Sequence, residues 1–125
     1  MEAPQHCPLC DIHDANIHHQ NDFGIIMYDD NPVSKGHILI IPRRHISSFF
    51  EVNENERKNL ISLLELARND LKIRFQPDGF HIGFNEGDIV GQKIEHLHIH
   101  VIPRYSQKPL NLDSRWGITS HMTAL

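Results

Sequence analysis

The sequence is short of several things at once. It has two cysteines in 125 residues, too few for a framework of disulfides. No apolar run approaches the ~20 residues that span a bilayer, so no membrane partner is expected. It also lacks net positive charge. The formal net charge is −4, which argues against nucleic acid, because phosphate backbones select a basic surface. Arg43-Arg44 is a short basic cluster and reads as solvated surface. Residues Met1 to His6 carry no charged-then-apolar signal pattern, and a cytoplasmic location is the default expectation. No internal repeat, low-complexity tract or linker interrupts the chain, and its length suits one domain with a hydrophobic core.

What is abundant is histidine, with 11 residues. Three of them alternate with aliphatic residues in Gln92-Lys93-Ile94-Glu95-His96-Leu97-His98-Ile99-His100-Val101-Ile102-Pro103. On a β-strand successive side chains point to opposite faces, so the pattern predicts three imidazoles on one face. Leu97, Ile99 and Val101 then face a core.

The rest of the pattern predicts an α+β fold with a mainly antiparallel sheet. Residues 1–21 are polar without clear periodicity and read as loop with at most a short helical turn. Strands are expected at Phe23 to Tyr28, at His37 to Pro42 and at Phe80 to Phe84, with the histidine strand as the fourth. The short link at Asp29 to Gly36 cannot host a parallel crossover, so the first two pair antiparallel. Asn53 followed by Glu56 reads as an N-cap with its capping-box partner. Leu60, Leu63, Leu64, Ala67 and Leu71 recur at helical spacing, giving one long amphipathic helix from about Glu54 to Phe75. The tail from Ser106 onward reads as irregular.

Three chemistries compete for the histidine row: a solvated strand face, a three-histidine catalytic metal site, or covalent catalysis by a neutral imidazole of fixed tautomer. Upstream, Asn85, Gly87, Gly91, Gln92 and Lys93 offer amide, backbone and ammonium donors, which suit an anionic, phosphate-like ligand. No Gly-Lys-Ser/Thr ends this loop, so it is not a Walker-type phosphate loop. Cys7 and Cys10 have tetrahedral-zinc spacing but supply two ligands only. His6, His13, His18 and His19 lie near them in sequence.

His96-Leu97-His98-Ile99-His100-Val101-Ile102 resembles the signature of the histidine triad (HIT) superfamily of nucleotidyl hydrolases and transferases. Gly91-Gln92, Asn85 and the run from Pro32 through Gly36-His37 to His45 are similar to the same pattern. The opening Cys-Pro-x-Cys is similar to small bacterial-type, zinc-containing members. The resemblance covers Cys7 to about Arg104 and implies a single HIT domain over 1–125.

It further implies that His98 is the nucleophile, attacking the α-phosphorus of a nucleoside phosphate derivative to give a nucleotidyl-histidine that water hydrolyses. A dinucleoside polyphosphate or a nucleoside phosphoramidate would be such a substrate. His100 would donate to phosphate oxygens, and His37 would complete the imidazole cluster. Asn85, Gln92 and Lys93 would bind phosphate or leaving group, Asp29 the ribose hydroxyls, and Leu9, Ile12 and Leu39 the base. Lys93 departs from the hydroxyl residue usual after Gly-Gln, which bears on leaving-group preference. A structural zinc is implied on Cys7, Cys10, His45 and His96, pinning the segment 1–21, with no organic cofactor. A homodimer is implied by analogy alone. The alternatives are a nucleotidyl transferase using a phosphate or sugar-phosphate acceptor, and a non-catalytic nucleotide-binding protein.

Overall fold

The computed structural model describes residues 7–92 and 94–106. Among them five strands form one sheet: β1 (Ile17–Gln20), β2 (Gly24–Tyr28), β3 (Ile38–Pro42), β4 (Gly79–Gly83) and β5 (Ile99–Arg104). Their spatial order is β1-β2-β3-β5-β4, and every neighbouring pair is antiparallel. One helix, α1 (Glu54–Phe75), crosses one face. The expected α+β class and antiparallel sheet are therefore what the chain forms.

The helix begins where its capping residues are. The Asn53 side chain accepts the Glu56 N–H, and Glu56 returns the bond to the Asn53 N–H, so two of the first turn's unpaired donors are satisfied. Leu60, Leu63, Ala67 and Leu71 of the predicted stripe are buried, with Leu64 packed alongside. They meet Ile26, Ile38, Ile40, Leu97, Ile99 and Val101 in the main core. Period-two alternation sends the neighbouring residues to the opposite face. There Met27, Leu39 and Ile41 form a second cluster, covered by Leu9 and Ile12 of the N-terminal segment. The sheet thus has a helix side and an N-terminal-segment side.

Gly24 permits the close approach of helix and sheet. A β-carbon there would lie 2.8 Å from Leu63 Cδ1 and 3.1 Å from the Ile41 carbonyl oxygen.

Three expectations are corrected. Residues 17–20 are an edge strand, not loop. Their side chains are mostly exposed, so no alternation marks them, and an Asn21 turn capping the Phe23 and Gly24 N–H groups closes the hairpin. Second, ladder pairing in the histidine segment starts at Ile99, so His96 and His98 precede the strand. The Leu97 N–H there bonds the Ile46 carbonyl at 2.7 Å, which holds the segment by other means. Third, Arg44 is not simply solvated. Its guanidinium forks onto the buried Glu56 carboxylate, through Nε at 3.0 Å and Nη2 at 2.7 Å. Trp116 and the rest of the tail lie outside the described residues.

Candidate active site and metal cluster

The histidines are sorted by what backbone groups do to their ring nitrogens. His98 Nδ1 lies 2.8 Å from the His96 carbonyl oxygen. A carbonyl only accepts, so Nδ1 carries the proton and Nε2 of the neutral ring keeps its lone pair. His37, 3% exposed, is set the other way. Its Nδ1 accepts the Val33 N–H at 3.1 Å, so its proton sits on Nε2. That Nε2 lies 2.8 Å from His100 Nδ1, which must accept, and the His100 proton is placed on Nε2. The Asp29 carboxylate closes the row, with Oδ2 3.4 Å from His37 Nε2 and Oδ1 accepting the Asn31 N–H.

His98 and His100 face each other edge to face, ring centroids 5.2 Å apart. Two residues of one type, two positions apart, therefore carry opposite tautomers: one offers Nε2 as a base or nucleophile, the other Nε2–H as a donor. His100 pairs across the ladder with Leu39, whose side chain belongs to the cluster with Leu9 and Ile12. The predicted apolar base-pocket residues and the predicted donor histidine are thus on one face of the sheet.

His96 is turned away from this pair. It is fully buried, and its Nε2–H donates to the Pro42 carbonyl at 2.8 Å, so Nδ1 is left as a lone pair. Around that nitrogen stand Cys7 Sγ at 3.4 Å, Cys10 Sγ at 3.4 Å and His45 Nδ1 at 3.2 Å. Cys10 Sγ lies 3.1 Å from His45 Nδ1. Zinc bonds of ~2.05 Å to nitrogen and ~2.3 Å to sulfur, at tetrahedral angles, set N···N near ~3.3 Å and N···S near ~3.6 Å. The four distances lie within about half an ångström of that frame. The ligand atoms all lie within 4.8 Å of one another.

The protein alone has no good use for this arrangement. Burial pushes the Cys10 thiol up to about 11, with Cys7 adding to the rise. Burial lowers the His96 pKa, reinforced by His45 and His98 and opposed by the Pro42 carbonyl. A divalent cation held by these residues would use both properties, since its ligands are the thiolate and the neutral imidazole.

The Asp29, His37 and His100 group also clusters tightly enough to hold an ion. There the His37 Nε2–H and the His100 Nδ1 lone pair already satisfy each other in a 2.8 Å hydrogen bond. The row His96, His98 and His100 is not among the metal-sized groups of the described residues, so a three-histidine catalytic metal finds no support. Nor do the rival ligands near Cys7 reach the cluster. His13 accepts the Ala15 N–H, His18 pairs with Asp70, and His19 is exposed on β1. His6 lies outside the described residues.

In the loop before the histidines, Gln92 also makes contacts that residue type alone does not reveal. Gln92 is 7% exposed. Its Oε1 accepts the Gly87 N–H at 2.7 Å and its Nε2 donates to the Ser47 carbonyl at 2.8 Å. It ties the loop to the link after β3. Asn85 Nδ2 sits 3.7 Å from where a Gly91 β-carbon would be, and Gly91 turns at φ 96°. Lys93 lies outside the described residues. The backbone groups of Val33, Pro42 and His96, which set every tautomer above, could not be found from side-chain identities.

An α+β domain with a tautomer-sorted histidine cluster on the sheet face opposite its helix, beside a Cys₂His₂ cluster, is the class these features define. The chain belongs to the HIT domain family, whose model matches residues 12–107. It is 33% identical over 103 residues to a HIT-like protein of Mycoplasma genitalium, covering 79% of this chain and 73% of that one. It is 35% identical over 86 residues to an adenylylsulfatase of Arabidopsis thaliana, covering 69% of this chain and 44% of the relative. An AP-4-A phosphorylase of Mycobacterium tuberculosis is 33% identical over 75 residues, covering 59% of this chain and 38% of the relative. Among solved structures, a HIT family protein from Bacillus anthracis superposes with TM-score 0.76 at 25% identity, covering 98% of both chains. A zinc-bound histidine triad protein from Mycobacterium smegmatis shares the fold at TM-score 0.68 and 19% identity, covering 86% of both chains.

Proposed function

We propose that the chain is a nucleotidyl hydrolase acting at the α-phosphate of a nucleoside phosphate derivative, through a nucleotidyl-histidine on His98. The observation that carries this reading is the opposite tautomers of His98 and His100. The His98 Nε2 lone pair attacks α-phosphorus, and the bond to the leaving group breaks with its electron pair leaving on that group. The carbonyl of His96 stabilises the resulting cationic ring through Nδ1–H. His100 Nε2–H donates to a phosphoryl oxygen. Water then attacks phosphorus, releasing the nucleoside monophosphate and returning the lone pair to His98.

Asp29 stands near His37 at the end of the row, where a carboxylate can accept from ribose hydroxyls. Leu9, Ile12 and Leu39 supply the apolar wall for a base, with Asn85 and Lys93 reserved for phosphate or leaving group. The names of the Arabidopsis and Mycobacterium tuberculosis relatives, an adenylylsulfatase and an AP-4-A phosphorylase, are consistent with nucleotide chemistry. The phosphorylase keeps a transferase with a phosphate acceptor as the second reading.

Cys7, Cys10, His45 and His96 would hold zinc. A closed four-ligand site with no open position is structural, and it would fix the segment carrying Leu9 and Ile12 to the sheet. We read the chain as one cytoplasmic domain that pairs as a homodimer, for which β4 is an edge strand of the sheet among the described residues. Among the described residues no helix is long and apolar enough to cross a membrane.

Product analysis on a nucleoside phosphoramidate and a dinucleoside polyphosphate, with and without added phosphate, tests the activity. Monophosphate release independent of phosphate, lost in His98→Asn with nucleotide binding retained, supports the hydrolase. Strict dependence on phosphate turns it into the transferase. Trace activity unchanged in the variant leaves a binding protein.

A further inference from the structure

His45 enters the metal cluster from the short link after β3, and that link is held from three directions, one of them the β1–β2 hairpin through the Arg43 N–H on the Phe23 carbonyl at 2.9 Å. From the histidine side, His96 Nε2 reaches the Pro42 carbonyl, the Leu97 N–H reaches the Ile46 carbonyl, and Gln92 Nε2 reaches the Ser47 carbonyl. From the helix side, one residue does the work. Arg44 forks onto Glu56 and donates from Nη2 to the Glu51 carbonyl at 3.0 Å. Glu56 is 4% exposed, and the same Oε1 accepts the Asn53 N–H at 2.9 Å. The carboxylate that caps α1 is therefore the carboxylate that fixes the residue next to His45.

We propose that the Arg44–Glu56 pair is a positioning device for the zinc ligand His45, so that metal affinity is set in part at the N-terminus of α1. A bidentate guanidinium–carboxylate pair fixes direction as well as distance. The backbone it holds in this way is continuous with the His45 Cα. Groups hydrogen-bonded directly to a ligand commonly contribute about 10- to 100-fold in metal affinity; this pair acts one residue further out, so the lower end of that range applies. The link is reciprocal by thermodynamic necessity: metal loading protects the first turn of α1.

The inference rests on the zinc reading, and competition against a chromophoric chelator separates the two. Arg44→Ala and Glu56→Gln weaken zinc about 10-fold. Arg44→Lys, with charge but no fork, recovers only part of that. Asn53→Ala removes a helix cap while leaving the pair intact, and holds zinc within about twofold of wild type. In hydrogen exchange, zinc slows the Asn53 and Glu56 amides in wild type and does so less in Arg44→Ala. Wild-type zinc affinity in Arg44→Ala overturns the inference alone. So does an Asn53→Ala loss equal to that of Arg44→Ala, since general stability would then explain both. A wild-type protein that binds no zinc overturns the zinc reading and the inference together.

Discussion

Each imidazole in the cluster has two nitrogens, and a backbone group decides which of them carries the proton. For His98 that group is the His96 carbonyl; for His37 it is the Val33 N–H, and His37 passes the constraint to His100. This makes His37 a positioning residue whose removal has a defined consequence. In His37→Phe the donor to His100 Nδ1 is lost and the His100 proton is no longer confined to Nε2. Turnover is expected to fall about 100-fold, within the range for a displaced acid–base group. Nitrogen chemical shifts of the His100 ring should move from a single tautomer to a mixture. Unchanged shifts with lowered turnover would mean that His37 acts some other way.

Individual side chains were legible in the sequence because alternation and spacing report on them. The heptapeptide from His96 to Ile102 displays its own periodicity, and Cys7-Pro8-Leu9-Cys10 its ligand spacing. The donors and acceptors that sort the histidines were not legible. They are main-chain groups of Val33, Pro42 and His96, and any residue supplies them. The structural partners of Gln92 were hidden for a related reason. Its amide suits phosphate as a residue type, yet the loop's own Gly87 N–H and the Ser47 carbonyl engage it.

Elements are held in register by close contacts whose loss has a predictable size. Gly24 on β2 lies under Leu60 and Leu63 of α1. Gly24→Ala should therefore destabilise by about 1–3 kcal/mol through overpacking, measured by urea unfolding, although its backbone φ is ordinary for any residue. Leu71→Ala, at a position fully buried in the main core, should cost about 2–5 kcal/mol through the lost apolar contact and the cavity left behind.

The start of α1 adds a pH dependence. The Arg44 guanidinium holds the Glu56 carboxyl below the ordinary carboxylate range; burial opposes this and the Asn53 N–H assists it. A depressed folded-state value stabilises the fold above the unfolded value, about 4.3 for Glu, and that contribution disappears as pH falls through the folded value. Unfolding followed across this range should show wild type more stable than Glu56→Gln at neutral pH, with the gap closing in acid. A gap that stays constant would place the stabilisation elsewhere. The helix was fully legible, since its cap, stripe and end are all written in side-chain identities. The edge strand β1 was not, because its side chains are mostly exposed and carry no apolar alternation.

Across the molecule, the sheet separates two tasks. Its helix side carries the main core, and the other side carries the histidines, the second apolar cluster and the cysteine-bearing segment. Zinc would tie that segment down, so chelation is expected to lower the melting temperature and to expose residues 7–12 to proteolysis first, leaving the helix-side core folded longer. Simultaneous loss of both sides would show that the two faces do not separate. His96 belongs to both tasks. Its side chain faces the metal cluster, while its carbonyl orients His98.

The central chemistry is the covalent step, and trapping reports on it directly. Wild type, His98→Ala and His100→Ala are mixed with a nucleotide substrate labelled at the α-phosphorus, quenched within one turnover under alkaline conditions that preserve phosphohistidine, and mapped by peptide. Label should appear on the peptide containing His98 in wild type and be absent in His98→Ala. It should form more slowly at the same residue in His100→Ala. Turnover by wild type with no label trapped, or equal labelling of His98→Ala, would contradict a nucleotidyl-histidine at His98.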